Sequence, residues 1–246
     1  MKPTQPEEGL SLALQRAWRG VSPRAGLSMA TILPAALDIA DRNGVASLTL
    51  RKLGETLGTS AMALYRHIKS RDELLLLTFD FALGEPETPP DEMDWREALE
   101  RWSLALYERY VVHPALIDLP IRGLPVTPNH SAWIEQLLVA SRQSGLLPSE
   151  QLEIGLLLDG HARNIAGLRH SIIADAKAER LRASEVLNLM PADGLPELRA
   201  VLTAGGLQNG EPPGIEFGIR TILSGIGNAS HMKDPHSKRA DQPERL

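Results

Sequence analysis

The sequence predicts an all-α protein. Apolar residues recur at helical spacing in nearly every segment between turn signals, and alternating runs of β-branched residues are scarce. Several of these segments also follow a Ser or Thr and end at a Gly, which are the usual helix start and stop signals. At 246 residues, of which 43% are hydrophobic, the chain can form one large or two modest domains around a buried core.

The first two predicted helices have clear boundaries. Ser28 is an N-cap for a helix over 29–43, and Pro34 inside that helix removes a hydrogen bond and predicts a kink or a delayed start. Thr49 caps a second helix, which Gly58 closes.

A third and a fourth helix follow directly. The third starts after Thr59 or Ser60 and ends near Ile68. Ser70, with Glu73 three residues later, forms a capping box for the fourth.

A Pro-rich acidic loop at 84–94 then predicts a domain boundary, with the fourth helix packing on both sides of it. Further helical stretches are predicted at about 94–112, 128–144, 149–180 and 214–229. The predicted organisation is an N-terminal extension at 1–27, a helical domain at 28–84, a larger helical domain at 85–230 and a polar, disordered tail at 231–246.

The second and third helices predict a helix-turn-helix, in which the third helix enters the DNA major groove. Leu64 and Ile68 are spaced four residues apart and point to the core. Four residues then face away from the core: Ala61, Met62, Tyr65 and Arg66. Arg51, near the start of the second helix, can reach guanine with two hydrogen bonds. From spacing alone, a surface helix with an ordinary polar face remains the alternative, because helix-turn-helix patterns are short and degenerate.

The charge distribution is asymmetric. Between Leu14 and Arg71, nine Lys and Arg residues accompany three acids, whereas the whole chain has a net charge of −5. This asymmetry suggests an N-terminal part that meets a polyanion, although a solvated basic face would give the same count.

The N-terminal extension allows three interpretations. Residues 10–27 contain no acid and include Arg16, Arg19 and Arg24. The segment is an arm that enters the minor groove, a disordered tail, or a helix docked on the core through Leu12, Leu14 and Trp18.

The stretch "GVASLTLRKLGETLGTSAMALYRHIKSRDELL" resembles the DNA-binding domain of the TetR family of bacterial repressors. The family pattern is matched in register at Leu48, Thr49, Arg51, Leu53, Leu57, Gly58, Leu64, Tyr65, His67, Arg71 and Leu74. The resemblance implies phosphate contacts from Thr49, Tyr65, His67, Lys69 and Arg71. It implies base contacts from Arg51, Ala61, Met62 and Arg66, and it adds Ser60 to the DNA-contacting surface.

Two residues depart from the family pattern. Gly54 and Pro34 each stand where Ala is usual. Gly54 costs about 1 kcal/mol of helix propensity, so both departures concern local stability rather than the DNA-contacting face.

The remainder of the chain resembles the tetracycline-repressor-like regulatory domain. The similar stretches are "DWREAL" (94–99), "HPALIDLPIRGLPVTPNHSAWIEQLL" (113–138) and "LLLDGHARNIAG" (156–167). This resemblance implies a helical ligand-binding and dimerisation domain, in which helices of two subunits form a four-helix interface. A small-molecule effector would bind inside each regulatory domain and release a repressor from a palindromic operator.

The pattern offers candidates for that interface. Gly155, Ala162 and Ala166 form a strip of small residues that would allow close helix approach. A separate apolar stripe consists of Ile154, Leu158, Ile165, Leu168 and Ile172, and the stretch at 215–226 would supply a second interface helix. Packing inside the monomer core explains the same pattern equally well.

Candidate effector contacts are Trp102, Tyr107, Trp133 and His161. Large aromatic residues and a single helical His are more often ordinary core residues, so that alternative stays open. No metal and no cofactor are predicted.

The remaining function classes are disfavoured. No catalytic motif is present, so we predict no enzyme, and an enzyme or a helical interaction protein is the alternative to a DNA-binding regulator. The chain has no apolar run of 18 residues, no secretory pattern and no cysteine, which favours a cytoplasmic protein. The effector, the operator sequence and the regulated genes stay open.

Overall fold

The computed structural model describes residues 12–19, 27–88, 90, 92–119, 126–177, 187–191, 194–204 and 214–229. Within these ranges every regular element is a helix, which confirms the predicted all-α class. The helices are α1 (Leu12–Arg19), α2 (Met29–Asn43), α3 (Leu50–Thr56), α4 (Ala61–Tyr65), α5 (Arg71–Leu83), α6 (Trp95–Val112), α7 (Ala115–Asp118), α8 (Pro128–Ser141), α9 (Pro148–Lys177), α10 (Pro196–Thr203) and α11 (Glu216–Ala229). No helix in the described part of the chain is long and apolar enough to cross a membrane.

The boundaries of α2 agree with the prediction. The helix follows Ser28 and ends before Gly44, whose φ of 79° stops it. Pro34 lies inside α2 without ending it, so the predicted delay does not occur. The side-chain cap comes from Thr31, whose Oγ1 accepts a hydrogen bond from the Ser28 N–H at 3.0 Å.

The next two helices form the predicted helix-turn-helix. The Thr49 hydroxyl accepts a hydrogen bond from Lys52 N–H at 3.1 Å and so caps α3. The α4 helix ends at Tyr65, earlier than predicted. It ends there because the chain tightens into a turn, in which the Leu64 carbonyl accepts hydrogen bonds from both His67 N–H and Ile68 N–H. We call α2, α3 and α4 the head.

The α5 helix connects the head to the rest of the molecule. Its N-cap is Ser70, whose hydroxyl accepts a hydrogen bond from Glu73 N–H at 3.1 Å. Glu73 completes the cap by accepting from Lys69 N–H, one residue before the predicted donor. The helix is buried on nearly every side, because α2 packs on it from the head and α6 and α8 pack on it from the other part.

The larger part is a bundle of α6, α8, α9 and α11. Gly155 marks the closest approach of α9 to α8, since a Cβ there would lie 2.1 Å from Leu137 Cδ2. Ala162 and Ala166 are also buried inside the protomer. The prediction that this strip lies at a subunit interface is therefore wrong, because its members pack within the monomer core. The first two residues of the apolar stripe, Ile154 and Leu158, are buried there too.

The described part of the N-terminal extension is a docked helix. In α1, Ala13 is buried, and the Trp18 indole N–H donates a hydrogen bond to the Val126 carbonyl at 2.9 Å. This arrangement supports the docked-helix interpretation for Leu12–Arg19. The side chains of Arg16 and Arg19, all of Arg24 and the tail at 231–246 lie outside the described residues.

Candidate DNA-binding face and effector cleft

The α4 helix presents a projecting face. Leu64 and Ile68 are fully buried and fix α4 on the head, as predicted. Met62 is 75% exposed and Tyr65 is 50% exposed on the opposite side, and Arg66 is also exposed. Leu64 in α4 and Ile68 just after it anchor this segment while its long side chains extend into solvent, which suits entry into a groove.

Several other residues predicted to contact DNA surround α4. The Thr49 hydroxyl caps α3, and the Ser60 hydroxyl accepts from Ala63 N–H at 3.2 Å to cap α4. Each hydroxyl keeps its own hydrogen for donation to a phosphate oxygen. Ala61 and His67 are partly buried at the edge of the same face, and Lys69 is exposed beside it.

Arg51 extends outward from α3. Its side chain is 88% exposed, and its Nε lies 3.8 Å from a carboxylate oxygen of Glu55 one turn later. An ion pair this long and this exposed is weak, so the guanidinium is available to a nucleic acid.

Arg71 is hydrogen bonded to the backbone of the head. Its Nε donates to the Leu48 carbonyl at 3.0 Å, and its other guanidinium nitrogen donates to the Val45 carbonyl at 3.1 Å. These bonds fix the start of α5 to the turn between α2 and α3. Arg71 is nevertheless exposed, so its phosphate contact stays a prediction, and exposed Lys69 is the second candidate cation.

Gly54 has a packing role that its helix propensity does not indicate. It is buried where α3 crosses the turn to α4, and a Cβ there would lie 2.8 Å from the Thr59 carbonyl oxygen and 3.3 Å from Ala61 N. Glycine therefore lets the two helices of the motif approach closely.

Two of the predicted effector residues come together in the bundle. Trp102 on α6 and Trp133 on α8 meet edge to face, with ring centroids 5.9 Å apart. They line a small, open cleft between α6, α8 and the segment that follows α5. We call this space the tryptophan cleft. Its lining residues are Pro86, Glu87, Ala98, Arg101, Trp102, Ala105, Trp133, Gln136 and Ala140.

The other two predicted effector residues lie elsewhere. Tyr107 is partly buried against the core and is not part of the tryptophan cleft. His161 packs on Gly218 of α11, and its Nε2 lies 3.1 Å from the Ile215 carbonyl oxygen. His161 therefore joins α9 to α11, which favours the alternative of a structural histidine, and its contact with an effector stays a prediction. In the described part of the chain, no group of three His, Asp or Glu side chains is arranged to hold a metal ion.

Comparisons with known proteins agree with this geometry. A family model described as "Bacterial regulatory proteins, tetR family" matches residues 32–77, and one described as "Tetracyclin repressor-like, C-terminal domain" matches residues 86–229. The chain is 33% identical over 192 residues to the HTH-type transcriptional repressor DrrR1 of Streptomyces coeruleorubidus, which covers 74% of this chain and 67% of that protein.

The chain belongs to the TetR family.

Solved TetR-family structures share its fold. The Streptomyces coelicolor protein ActR, in complex with actinorhodin, superposes with a TM-score of 0.69 at 26% identity, covering 84% of this chain and 99% of that one. The structure of BioQ with its double-stranded DNA operator has a TM-score of 0.52 at 19% identity, covering 82% and 98%, and this similarity concerns the fold alone. This TetR-family protein is thus a DNA-binding transcriptional regulator of the helical two-part type, and a dimeric architecture is typical of its family.

Contacts between head and bundle in this TetR-family protein were not predicted. One carboxylate oxygen of Asp41 on α2 lies 2.9 Å from His113 Nδ1, and the other accepts from Ala115 N–H at 3.0 Å. Asp41 thus caps α7 from the head. These partners are 72 and 74 residues apart in the chain, so no local sequence pattern signals the contact.

The far end of α5 has similar contacts. The Asp80 carboxylate accepts from His130 N–H at 2.9 Å, and the Asp80 carbonyl accepts from Asn129 Nδ2 at 2.9 Å. Burial raises the pKa of Asp80, although hydrogen bonds to its carboxylate, including the one from His130 N–H, act in the opposite direction. Burial lowers the pKa of His130, and the nearby carboxylates of Asp80 and Asp159 oppose that shift.

A buried polar cluster holds α7 from its other side. The Tyr110 hydroxyl donates to Asp159 at 2.5 Å, and Arg163 donates to the Tyr110 oxygen at 3.1 Å. Arg163 also donates to the carbonyls of Leu116 and Ile117 in α7, at 3.1 and 3.0 Å. Burial raises the pKa of Tyr110 far above its usual value, with the Asp159 carboxylate adding to the shift. The short helix α7 is therefore hydrogen bonded both to the head and to α9.

Proposed function

We propose that this TetR-family protein is a repressor that binds a palindromic operator as a homodimer and leaves it when a small molecule binds in the larger helical part. The observation that carries the DNA-binding part is the projecting face of α4. Met62 and Tyr65 extend into solvent from a helix fixed by two fully buried residues, and basic side chains surround them.

The positions of the side chains support a division of roles. Tyr65, His67 and Lys69, with the capping hydroxyls of Thr49 and Ser60, would bind phosphates, because each offers a hydrogen-bond donor on or beside the projecting face. Base contacts would come from Arg51, Ala61, Met62 and Arg66. Arg51 is the leading candidate because its guanidinium is largely exposed and can form two hydrogen bonds to guanine.

A second face supports the homodimer. Leu156, Gly160 and Leu168 are exposed on one side of α9 at a spacing of four and eight residues. On α11, Phe217 is 76% exposed and Gly225 has open space beside it. We propose that these surfaces form the four-helix interface, and that the two α4 helices then enter major grooves about 34 Å apart.

The domain organisation follows from the same proposal. Residues 28–84 would form the DNA-binding domain and residues 85–230 the regulatory and dimerisation domain, with α5 belonging to both in packing. The ActR structure holds actinorhodin. This complex supports the proposal that a small-molecule effector binds in the bundle of this chain. A bacterial operator lies in the cytoplasm, where the proposed repressor would act.

The proposal predicts how two variants differ. Arg51→Ala should lose preference for the operator by about 5- to 150-fold, because a bidentate contact to guanine is worth roughly 1–3 kcal/mol of discrimination. Tyr65→Phe should instead weaken binding to any duplex to the same degree, because it removes a phosphate contact. Fluorescence anisotropy measures both, with DNA from upstream of the gene and a scrambled duplex at two salt concentrations.

The same titration tests the alternative classes. A DNA-binding regulator should bind the upstream DNA, and this binding should weaken steeply as the salt concentration rises. An enzyme or a helical interaction protein should not bind that DNA, and a lack of binding would contradict the proposed function.

A further inference from the structure

The thioether side chain of Met62 extends into solvent from the projecting face. Met62 is the second residue of α4 and is 75% exposed. The residues on either side of it, Ala61 and Ala63, carry only a methyl group each and are partly buried. Leu64, two positions later, is fully buried, so Met62 lies on the opposite side of the helix. A side chain this exposed leaves its sulfur open to small molecules in solution.

The other described methionines have different surroundings. The sequence contains six methionines and no cysteine. Of the four methionines that the structure describes, Met29, Met93 and Met190 are partly buried, and the first two pack against the core. Because the chain has no thiol, the thioethers are the sulfur groups that an oxidant can attack. Exposure makes Met62 the first target among the described methionines.

Oxidation by a peroxide changes the chemical character of this side chain. A lone pair of the thioether sulfur attacks one oxygen of hydrogen peroxide, an S–O bond forms, the O–O bond breaks, and the other oxygen leaves as water. Sulfur loses two electrons and the peroxide gains two, so the step needs no further reactant. The flexible apolar side chain becomes a polar sulfoxide, whose oxygen accepts hydrogen bonds.

This change would occur where α4 is proposed to contact bases. The apolar thioether of Met62 suits contact with the methyl group of a thymine in the major groove. A sulfoxide oxygen has no hydrogen to donate, and it would meet phosphate oxygens and the acceptor atoms of bases. Tyr65 and Arg66, one turn later, are exposed beside it, so the new oxygen lies among the other proposed DNA contacts. Oxidation therefore opposes entry of α4 into the groove.

We propose that Met62 is a redox-sensitive modification site, at which a peroxide forms the sulfoxide in the free protein and thereby weakens operator binding. The inference rests on the proposed function, because it requires α4 to enter the groove with Met62 near the bases. Methionine sulfoxide reductases reverse the oxidation, so the modification acts as a switch.

Treatment of the full-length protein with hydrogen peroxide tests the site. Mass spectrometry of its peptides should show that Met62 is oxidised before Met93, because Met93 is partly buried. Fluorescence anisotropy should show that operator affinity falls about fivefold or more, as expected for the loss of one base contact. Earlier oxidation of Met93, or full affinity once Met62 is oxidised, would overturn the proposal.

Two leucine variants assign the loss of affinity to one sulfur atom. Met62→Leu keeps an apolar side chain of similar volume that a peroxide does not oxidise, so treatment should leave its operator affinity unchanged. Met93→Leu removes a sulfur outside the projecting face and should lose affinity on treatment as the natural sequence does. Each variant is compared with its own untreated sample, so any effect of the substitution on binding cancels. A Met62→Leu protein that loses affinity on treatment would overturn the assignment.

Reversal distinguishes this switch from general oxidative damage. Incubation of the treated protein with reductases for both sulfoxide epimers should restore operator affinity. Affinity that stays low after Met62 has been reduced again would contradict the proposal.

DNA binding by the untreated protein separates failure of the inference from failure of the proposed function. If the untreated protein binds the operator and oxidation of Met62 leaves the affinity unchanged, the inference fails and the repressor function stands. If the untreated protein binds no DNA, the proposed function fails, whereas oxidation of Met62 ahead of Met93 would still establish the modification site.

Discussion

Lys69 and Arg71 are cations two positions apart with different surroundings. Lys69 is exposed at the edge of the projecting face, whereas the Arg71 guanidinium donates to the carbonyls of Leu48 and Val45. The basic charge of this segment and the resemblance to the family predict a phosphate contact for both residues. Their hydrogen bonds distinguish the two residues. The Arg71 guanidinium is bonded to two backbone carbonyls and so stabilises the head.

Substitution should show this difference. Arg71→Ala is expected to lower the free energy of unfolding by about 1–2 kcal/mol, since it removes two hydrogen bonds from a charged donor at a partly exposed site. Lys69→Ala should leave stability nearly unchanged and flatten the salt dependence of DNA binding by about one unit of slope.

Urea unfolding and DNA titrations at several salt concentrations measure these effects. Arg71→Lys is the matched control, because it keeps the charge but not the planar fork that reaches both carbonyls, and it should be destabilised as well. An Arg71→Ala protein of normal stability with a flattened salt slope would show that Arg71 contacts a phosphate and does not stabilise the head.

The crossing of α3 and α4 depends on one missing Cβ. Gly54→Ala gains helix propensity of about 1 kcal/mol, yet its methyl group would meet the Thr59 carbonyl oxygen, a backbone atom that cannot rotate away. We expect net destabilisation of about 1–3 kcal/mol and weaker operator binding, because α4 must shift. Lys52→Ala, at an exposed position on the same helix, serves as the control.

Melting temperature and operator affinity together test this expectation. A Gly54→Ala protein with a raised melting temperature and unchanged operator affinity would show that the close approach is not required.

Helix boundaries were predictable because capping is local. Thr49 and Ser70 each bond to a backbone N–H three residues later, so the information lies within one helical turn. The sequence could not predict which helix packs on the strip of small residues of α9. Such a strip suits a neighbouring helix of the same chain and a helix of a second subunit equally. Contact with Leu137 decides it, and that residue lies in another helix.

The candidate site divides in the same way. The projecting residues of α4 follow from helical spacing, and both tryptophans of the cleft were predicted from the chain. The contacts of Asp41 with α7 join residues more than 70 positions apart and depend entirely on the fold.

Assembly of the entire protein should depend on the exposed faces of α9 and α11. Phe217→Glu places a charge at a 76% exposed position, so the protomer fold should tolerate it while the dimer should not. Sedimentation equilibrium should show a monomer at micromolar concentration, and operator affinity should fall by at least tenfold because each half-site is then bound alone.

A second exposed apolar residue provides the control. Val112→Glu, at the 62% exposed end of α6, adds the same charge outside the proposed interface and should remain a dimer. A dimeric Phe217→Glu protein with full operator affinity would contradict the proposed interface.

The hydrogen bond between Trp18 and Val126 has a consequence for synthesis on the ribosome. The two residues are separated by 108 positions, so α1 leaves the ribosome long before its docking partner exists. At about 5–20 residues per second, the helix waits roughly 5–20 s with its apolar side uncovered. This hydrogen bond therefore forms late, after α5, α6 and α7 have been made. A nascent chain that stalls before Val126 leaves the Trp18 indole N–H without this acceptor.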